Sequence, residues 1–385
     1  MKATGAYSYS RAKAFGIALL IALSSGQVKS ESEPTAGSGS DDRSQYLEII
    51  KAGALDAFRE IYKSLPNDVQ QQVKAKNFQI GVGWIGATGT RCHKLGNLAN
   101  ASRTDSAVVI WLCEDALTLV AQSVTSGFLL LWSDHRIMKA VLGEIDMKNA
   151  MGALAEGLKK QEQVVMDYYA KKYVEAYYSR IANRNFPGPC MPQEIAFLVA
   201  TGRDPTSCSV QNPVSGQLDS ANVWASNVLS TGLRLFGETA GLPERAKNAP
   251  PFGIESLYGY SIEGIIRYLL LHEIGHFMLV DKSLPQRSTA QEKLNIEIAA
   301  DRFALTDRSQ NATMNQASLR SLVQFWRALG RADVGSLPAS DEEFSMRALS
   351  LFNAQCQSGL VESLDATDPR RAVLLRLNAF GCISN

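Results

Sequence analysis

Two histidines and a glutamate interrupt an otherwise apolar run, Leu269-Leu270-Leu271-His272-Glu273-Ile274-Gly275-His276-Phe277-Met278-Leu279-Val280. In a helix, a spacing of four residues puts His272 and His276 one above the other on a single face. Neutral imidazole nitrogens so arranged suit a zinc ion, which binds nitrogen at about 2.0–2.1 Å. Glu273 follows the first ligand directly, where its carboxylate reaches a water on the metal rather than the metal itself. The rival reading is a buried helix with two satisfied core histidines. Against it, a His-Glu pair in so apolar a run is costly to bury without a partner.

Farther along lies Glu297-Ile298-Ala299-Ala300-Asp301, inside a stretch from Leu294 to Leu305 whose apolar residues suit a second helix. Glu297 is expected to be the third ligand of one Zn2+, leaving the fourth position open. Asp301, one turn on, is placed to accept the second ring N–H of a ligand histidine, which fixes its tautomer. The site expected is therefore His272, His276 and Glu297 on the metal, Glu273 as base and Asp301 behind a ligand.

These helices must be carried by the rest of the chain. It has 385 residues, of which 45% are hydrophobic, with 39 Lys and Arg against 38 Asp and Glu. That balance describes an ordinary globular protein and excludes the basic footprint that nucleic-acid binding needs. Residues 1–29 read as a secretory signal: Lys2, Arg11 and Lys13 precede an apolar stretch from Ala14 to Leu23 and the small residues Ser24-Ser25-Gly26. The apolar stretch is too short to span a bilayer, so no stable membrane insertion is expected; an uncleaved short anchor is the alternative. Residues 30–45, rich in Ser, Gly, Glu and Asp, are expected to be a disordered linker, with one domain over 46–385.

Six cysteines, none in a Cys-x-x-Cys pair, agree with export to an oxidising compartment. Fifteen pairings are possible, and the sequential one is expected because each pair brackets a compact segment: Cys92 with Cys113, Cys190 with Cys208, Cys356 with Cys382. Free buried thiols are the alternative.

Periodicity predicts one or two helices from Tyr46 to about Pro66, then strands at Phe78–Ile85 and Ala107–Cys113 separated by a turn-rich segment. Residues 114–185 read as helical, with tyrosines at 168, 169, 173 and 177 on a packing face. The prolines between 190 and 250 suggest loops around an apolar helix at Ala221–Leu235, within a helical and loop-rich insertion at about 145–250. Ser261 is a plausible N-cap for the metal-site helix, which should end around Asp281 to Pro285. Three more helical runs are expected beyond Asp301. The fold class is α+β, mostly helical, with a small sheet and an active-site helix.

Four pieces together resemble a family of secreted bacterial zinc metallopeptidases of the gluzincin type. They are Cys92 with Cys113-Glu114 ending an apolar strand, His272 to His276 with Leu284-Pro285 after it, Glu297-x-x-Ala300-Asp301, and Phe352-Asn353-x-x-Cys356. The resemblance implies a zincin-like fold, periplasmic or secreted location, and hydrolysis of a peptide or protein substrate. Zinc would polarise the scissile carbonyl and acidify its water while Glu273 moves the proton. In zincins a strand beside the metal helix pairs with an extended peptide, so the two strands are candidates for a substrate edge. An electrophile for the oxyanion is also required. No Tyr or His follows His276, which leaves Arg347, or Tyr258, Tyr260, His93 or His135 from upstream. The missing downstream electrophile keeps open a different class, a catalytically silent zinc-binding envelope protein acting as chaperone or inhibitor.

Overall fold

A β-branched run forms the central strand of a three-stranded sheet, as its composition predicts. The computed structural model describes residues 39–85, 92, 97–103, 106–133, 147–182, 189–208, 217–239, 254–279 and 289–304, together with Leu322, Phe325, Ala328 and Leu329. Among these the protein is mostly helical with one small sheet, which is the α+β class expected. Two helices come first, α1 (Gly39–Ser64) and α2 (Asn67–Ala75), then β1 (Phe78–Gly83), β2 (Ala99–Arg103) and β3 (Val108–Cys113). The strand order is β1-β3-β2, with β1 parallel and β2 antiparallel to β3. Ile80, Ile110 and Leu112 share one face and are buried, while Trp111 on the other face lies over Gly81. A Cβ at Gly81 would sit 2.6 Å from the Trp111 ring, so any larger residue would have to push that indole aside.

After Cys113 the chain turns straight into α3 (Glu114–Ser133), with two carboxylates in its first turn. Negative charge there complements the helix dipole. Asp115 also accepts the Ile85 N–H at 3.0 Å, tying the end of β1 to the start of α3. The long α4 (Met147–Ile181) packs on α3 and buries Tyr168, Tyr169 and Tyr173, so this tyrosine face is packing. Next come α5 (Pro192–Ala200), a single 3-10 turn at Pro205–Ser207, and α6 (Gln217–Thr239). The metal-motif helix, α7 (Ile254–Leu279), packs against α1, α3 and α8 (Ala290–Ala304). One continuous core runs from Ala54 on α1 to Leu329 and includes residues of α3 through α8.

Four boundaries differ from expectation, each for a physical reason. α1 begins at Gly39, inside the segment read as linker, because the helical run from Tyr46 extends toward the N-terminus over residues without a stop signal. α5 falls in the stretch read as loops: Pro192 sits at its start, where a missing N–H costs nothing. β2, Ala-Asn-Ala-Ser-Arg, has little strand propensity of its own and forms by pairing along β3. α7 starts seven residues before Ser261, which is no cap: its buried hydroxyl donates to the Leu257 carbonyl at 2.8 Å within the helix.

Both disulfides expected in the described part are present, Cys92–Cys113 and Cys190–Cys208. Cys356 and Cys382, the expected signal at 1–29 and the helices beyond Asp301 lie outside the described residues, save Leu322, Phe325, Ala328 and Leu329, which are helical and buried. No helix among the described residues is long and apolar enough to cross a membrane.

Candidate metal centre

The metal-motif helix is apolar on nearly every side, and the fold surrounds it accordingly. Ile262, Ile265, Ile266, Leu269, Leu270, Leu271 and Ile274 are all buried. Two polar anchors fix it from outside. Arg267, fully buried, pairs with Glu60 of α1 at 2.9 Å and with Glu263 at 3.7 Å. Lys76, just after α2, donates to the Phe277 carbonyl at 2.8 Å, satisfying an acceptor of the last helical turn. Asn77 follows in the left-handed region (φ 49°), which asparagine tolerates, and turns the chain into β1. Phe78 at the start of that strand then meets Phe277 edge-on at 5.6 Å.

α8 is started by a capping box. The Thr289 hydroxyl accepts the Glu292 N–H at 3.2 Å, and the Glu292 carboxylate accepts the Thr289 N–H at 2.7 Å. The pattern Thr289-x-x-Glu292 stands in the sequence and would have placed this helix start at Ala290, ahead of the Leu294 that the apolar period suggested. The two helices then come very close. A Cβ on Gly275 would lie 3.1 Å from Phe303 Cβ and 3.2 Å from Ala300 Cα, so the glycine permits the approach that brings Glu297 to the histidines.

The structure brings the predicted ligands together. His272 Nε2 is 3.0 Å from His276 Nε2 and 3.3 Å from Glu297 Oε2, while His276 Nε2 is 3.4 Å from Glu297 Oε1. His272 is buried; His276 and Glu297 are each about a quarter exposed, so solvent reaches one side of the triangle. Behind it, Asp301 Oδ1 lies 2.8 Å from His272 Nδ1. Asp301 itself is fully buried and also accepts the Tyr268 hydroxyl at 2.5 Å.

These residues fit a zinc ion. Tetrahedral zinc with ligands at about 2.0–2.1 Å holds its donor atoms about 3.3 Å apart, close to the three separations observed. With Asp301 Oδ1 2.8 Å behind its Nδ1, His272 turns Nε2 toward His276 and Glu297, and a proton held at Nδ1 leaves that Nε2 free to ligate. A second cluster with ligand-type residues, Cys190, Glu194 and Cys208, does not fit: both sulfurs are committed to a disulfide and offer no thiolate.

Glu273 is buried, and burial pushes its carboxyl above the ordinary value, with His272 and His276 pulling the other way. Glu297 adds to the rise and a hydrogen bond from the Ala101 backbone opposes it. The direction of that N–H follows from the ladder. Cys113 N donates to Leu98 O at 2.9 Å, so alternate positions Leu98, Asn100 and Ser102 bond to β3. Ala101 is then in a non-bonded position, with its N–H and C=O turned to the outer edge of β2. Glu273 is thus seated against that edge.

The strand beside the metal helix is therefore β2, which sequence reasoning missed, while β3, one of the two candidates, is central and buried. Tyr258 and Tyr260 are on α7 itself, 14 and 12 residues before His272; a rise of 1.5 Å per residue puts them about 21 and 18 Å away along the axis. Neither serves the site. Arg347, His93 and His135 lie outside the described residues. No protein-family model matches the chain, and no curated protein or solved structure matches it.

Proposed function

We propose that the protein is an exported zinc peptidase of the zincin type, with one Zn2+ held by His272, His276 and Glu297. The observation that carries this reading is the convergence of three lone-pair donors at 3.0 to 3.4 Å beside a buried carboxylate, Glu273, that is not one of them. Zinc at such a site supplies Lewis acidity, polarising a carbonyl and lowering the pKa of water. The chain's own residues supply the rest. Asp301 orients His272 and keeps its Nδ1 protonated. Glu273, its carboxyl raised by burial, is matched to taking a proton during attack and delivering it to the leaving amine. The outer edge of β2, beyond the Ala101 N–H that Glu273 takes, is where an extended peptide would add. Two disulfides suit an oxidising compartment and so an exported protein.

Cleavage of an unfolded-protein mixture by wild type and by Glu273→Gln tests the reading. The variant should keep its zinc and lose activity by about 10²- to 10⁴-fold. Full activity in Glu273→Gln would contradict the assigned base. Zinc without cleavage by wild type would instead support the silent zinc-binding protein.

A further inference from the structure

Asp301 is the most deeply buried carboxylate near the site, and a buried carboxylate is costly unless its lone pairs are taken. Two groups meet Oδ1: the Tyr268 hydroxyl donates to it at 2.5 Å, and His272 Nδ1 lies 2.8 Å from it. Tyr268 stands one turn before His272 on α7, itself buried, with ring centres 6.0 Å apart and planes tilted by 35°. Its hydroxyl crosses from α7 to α8, and so do the contacts of Gly275 with Ala300 and Phe303. The carboxylate that orients the ligand is therefore itself oriented, by a residue of the ligand's own helix.

We propose that Tyr268 is a positioning residue for the metal centre, acting through Asp301 on the ring of His272. The inference rests on the zinc reading above and goes beyond it. An ionised carboxylate has room to swing about its Cβ–Cγ bond; a second, charge-assisted donor from Tyr268 removes that freedom. With Asp301 fixed, the plane of the His272 ring is set, and its Nε2 stays at ligand spacing from His276 and Glu297.

A double-mutant cycle on the full mature chain tests the proposal, reading the zinc Kd by competition with a chromophoric chelator. Loss of a partner directly behind a ligand typically costs 10- to 100-fold in metal affinity, so Tyr268→Phe, one bond farther out, should cost about three- to tenfold. In the Asp301→Ala background the same change should cost nothing, because the route through the carboxylate is gone. Tyr268→Phe should also move the proton resonance of His272 Nδ1–H in the zinc-loaded protein, which a merely structural role would leave in place. If Asp301→Ala does not fold, that resonance decides alone. An unchanged Kd and resonance overturns the proposal, as does an equal loss in both backgrounds. Wild-type chain that binds no zinc would overturn the zinc reading itself, and this inference with it.

Discussion

Two buried polar clusters of this molecule are built from similar residue types yet differ in what they leave unfinished. At the junction of α3, α4 and α5, Tyr169 lies within hydrogen-bonding distance of Ser126 Oγ (3.2 Å) and donates to the Cys190 carbonyl at 3.3 Å. Tyr168 accepts the Cys190 N–H at 3.1 Å, and the Ser126 hydroxyl is 3.1 Å from the Pro192 carbonyl. Burial pushes both tyrosine hydroxyls above their ordinary pKa, Tyr169 strongly, so they stay protonated. Every one of these groups is answered from within the chain, and the Cys190–Cys208 disulfide closes the cluster. Between α7 and α8, Asp301 accepts the Tyr268 hydroxyl and lies 2.8 Å from His272 Nδ1. The inner atoms, His272 Nε2, His276 Nε2 and the Glu297 carboxylate, instead converge on one another at 3.0 to 3.4 Å. A self-satisfied network holds a fold together; three ligand-type atoms converging in this way suit a cation.

The contrast breaks down, or sharpens, under a graded series of perturbations. Stripping zinc with a chelator should have the largest effect. At free metal 1,000-fold above Kd, binding stabilises the folded state by about 4 kcal/mol, so the Tm of wild type should fall on chelation and that of His276→Ala should not. Removing the other cluster's disulfide with Cys190→Ser and Cys208→Ser should cost about 3 kcal/mol in a denaturant titration while leaving zinc content intact. If zinc were lost there, the two clusters would not be independent. Gly275→Ala should cost about 1–3 kcal/mol, because its Cβ must push back Phe303 and the Ala300 backbone. Unlike the disulfide change, it should weaken zinc binding as well, measurable by the same chelator competition.

The smallest effect belongs to Glu194. Burial raises its carboxyl above the usual 4.5, so the folded state holds its proton more tightly than the unfolded chain. The native contribution of this group is therefore largest below pH 4.5 and declines as pH rises through the folded value. Glu194→Gln should raise Tm slightly at pH 7, and the gain should vanish near pH 4. A gain of the same size at both pH values would contradict the burial account.

The candidate site was legible in the sequence because its geometry is local. Spacings of four residues, His272 to His276 and Glu297 to Asp301, translate directly into shared helix faces, and only the pairing of α7 with α8 is nonlocal. The central strand and both described disulfides were legible for the same reason: a β-branched run, and cysteines bracketing short segments. β2 was not, since Ala99–Arg103 becomes a strand only against β3, and with it went the contact between Ala101 and Glu273. α5 was hidden because proline signals both a break and a helix start, and the neighbouring residues do not say which. Tyr268 carries no signal of its own in the sequence, because its contact exists only once Asp301 is packed against it.

The central claim is that three side chains, one of them from a different helix, hold a single zinc. Elemental analysis of the purified mature chain, wild type beside Glu297→Ala and Glu194→Gln, tests it most directly. One zinc per chain is predicted for wild type and for Glu194→Gln, with zinc lost from a folded Glu297→Ala. Full occupancy in Glu297→Ala, or none in wild type, would contradict it.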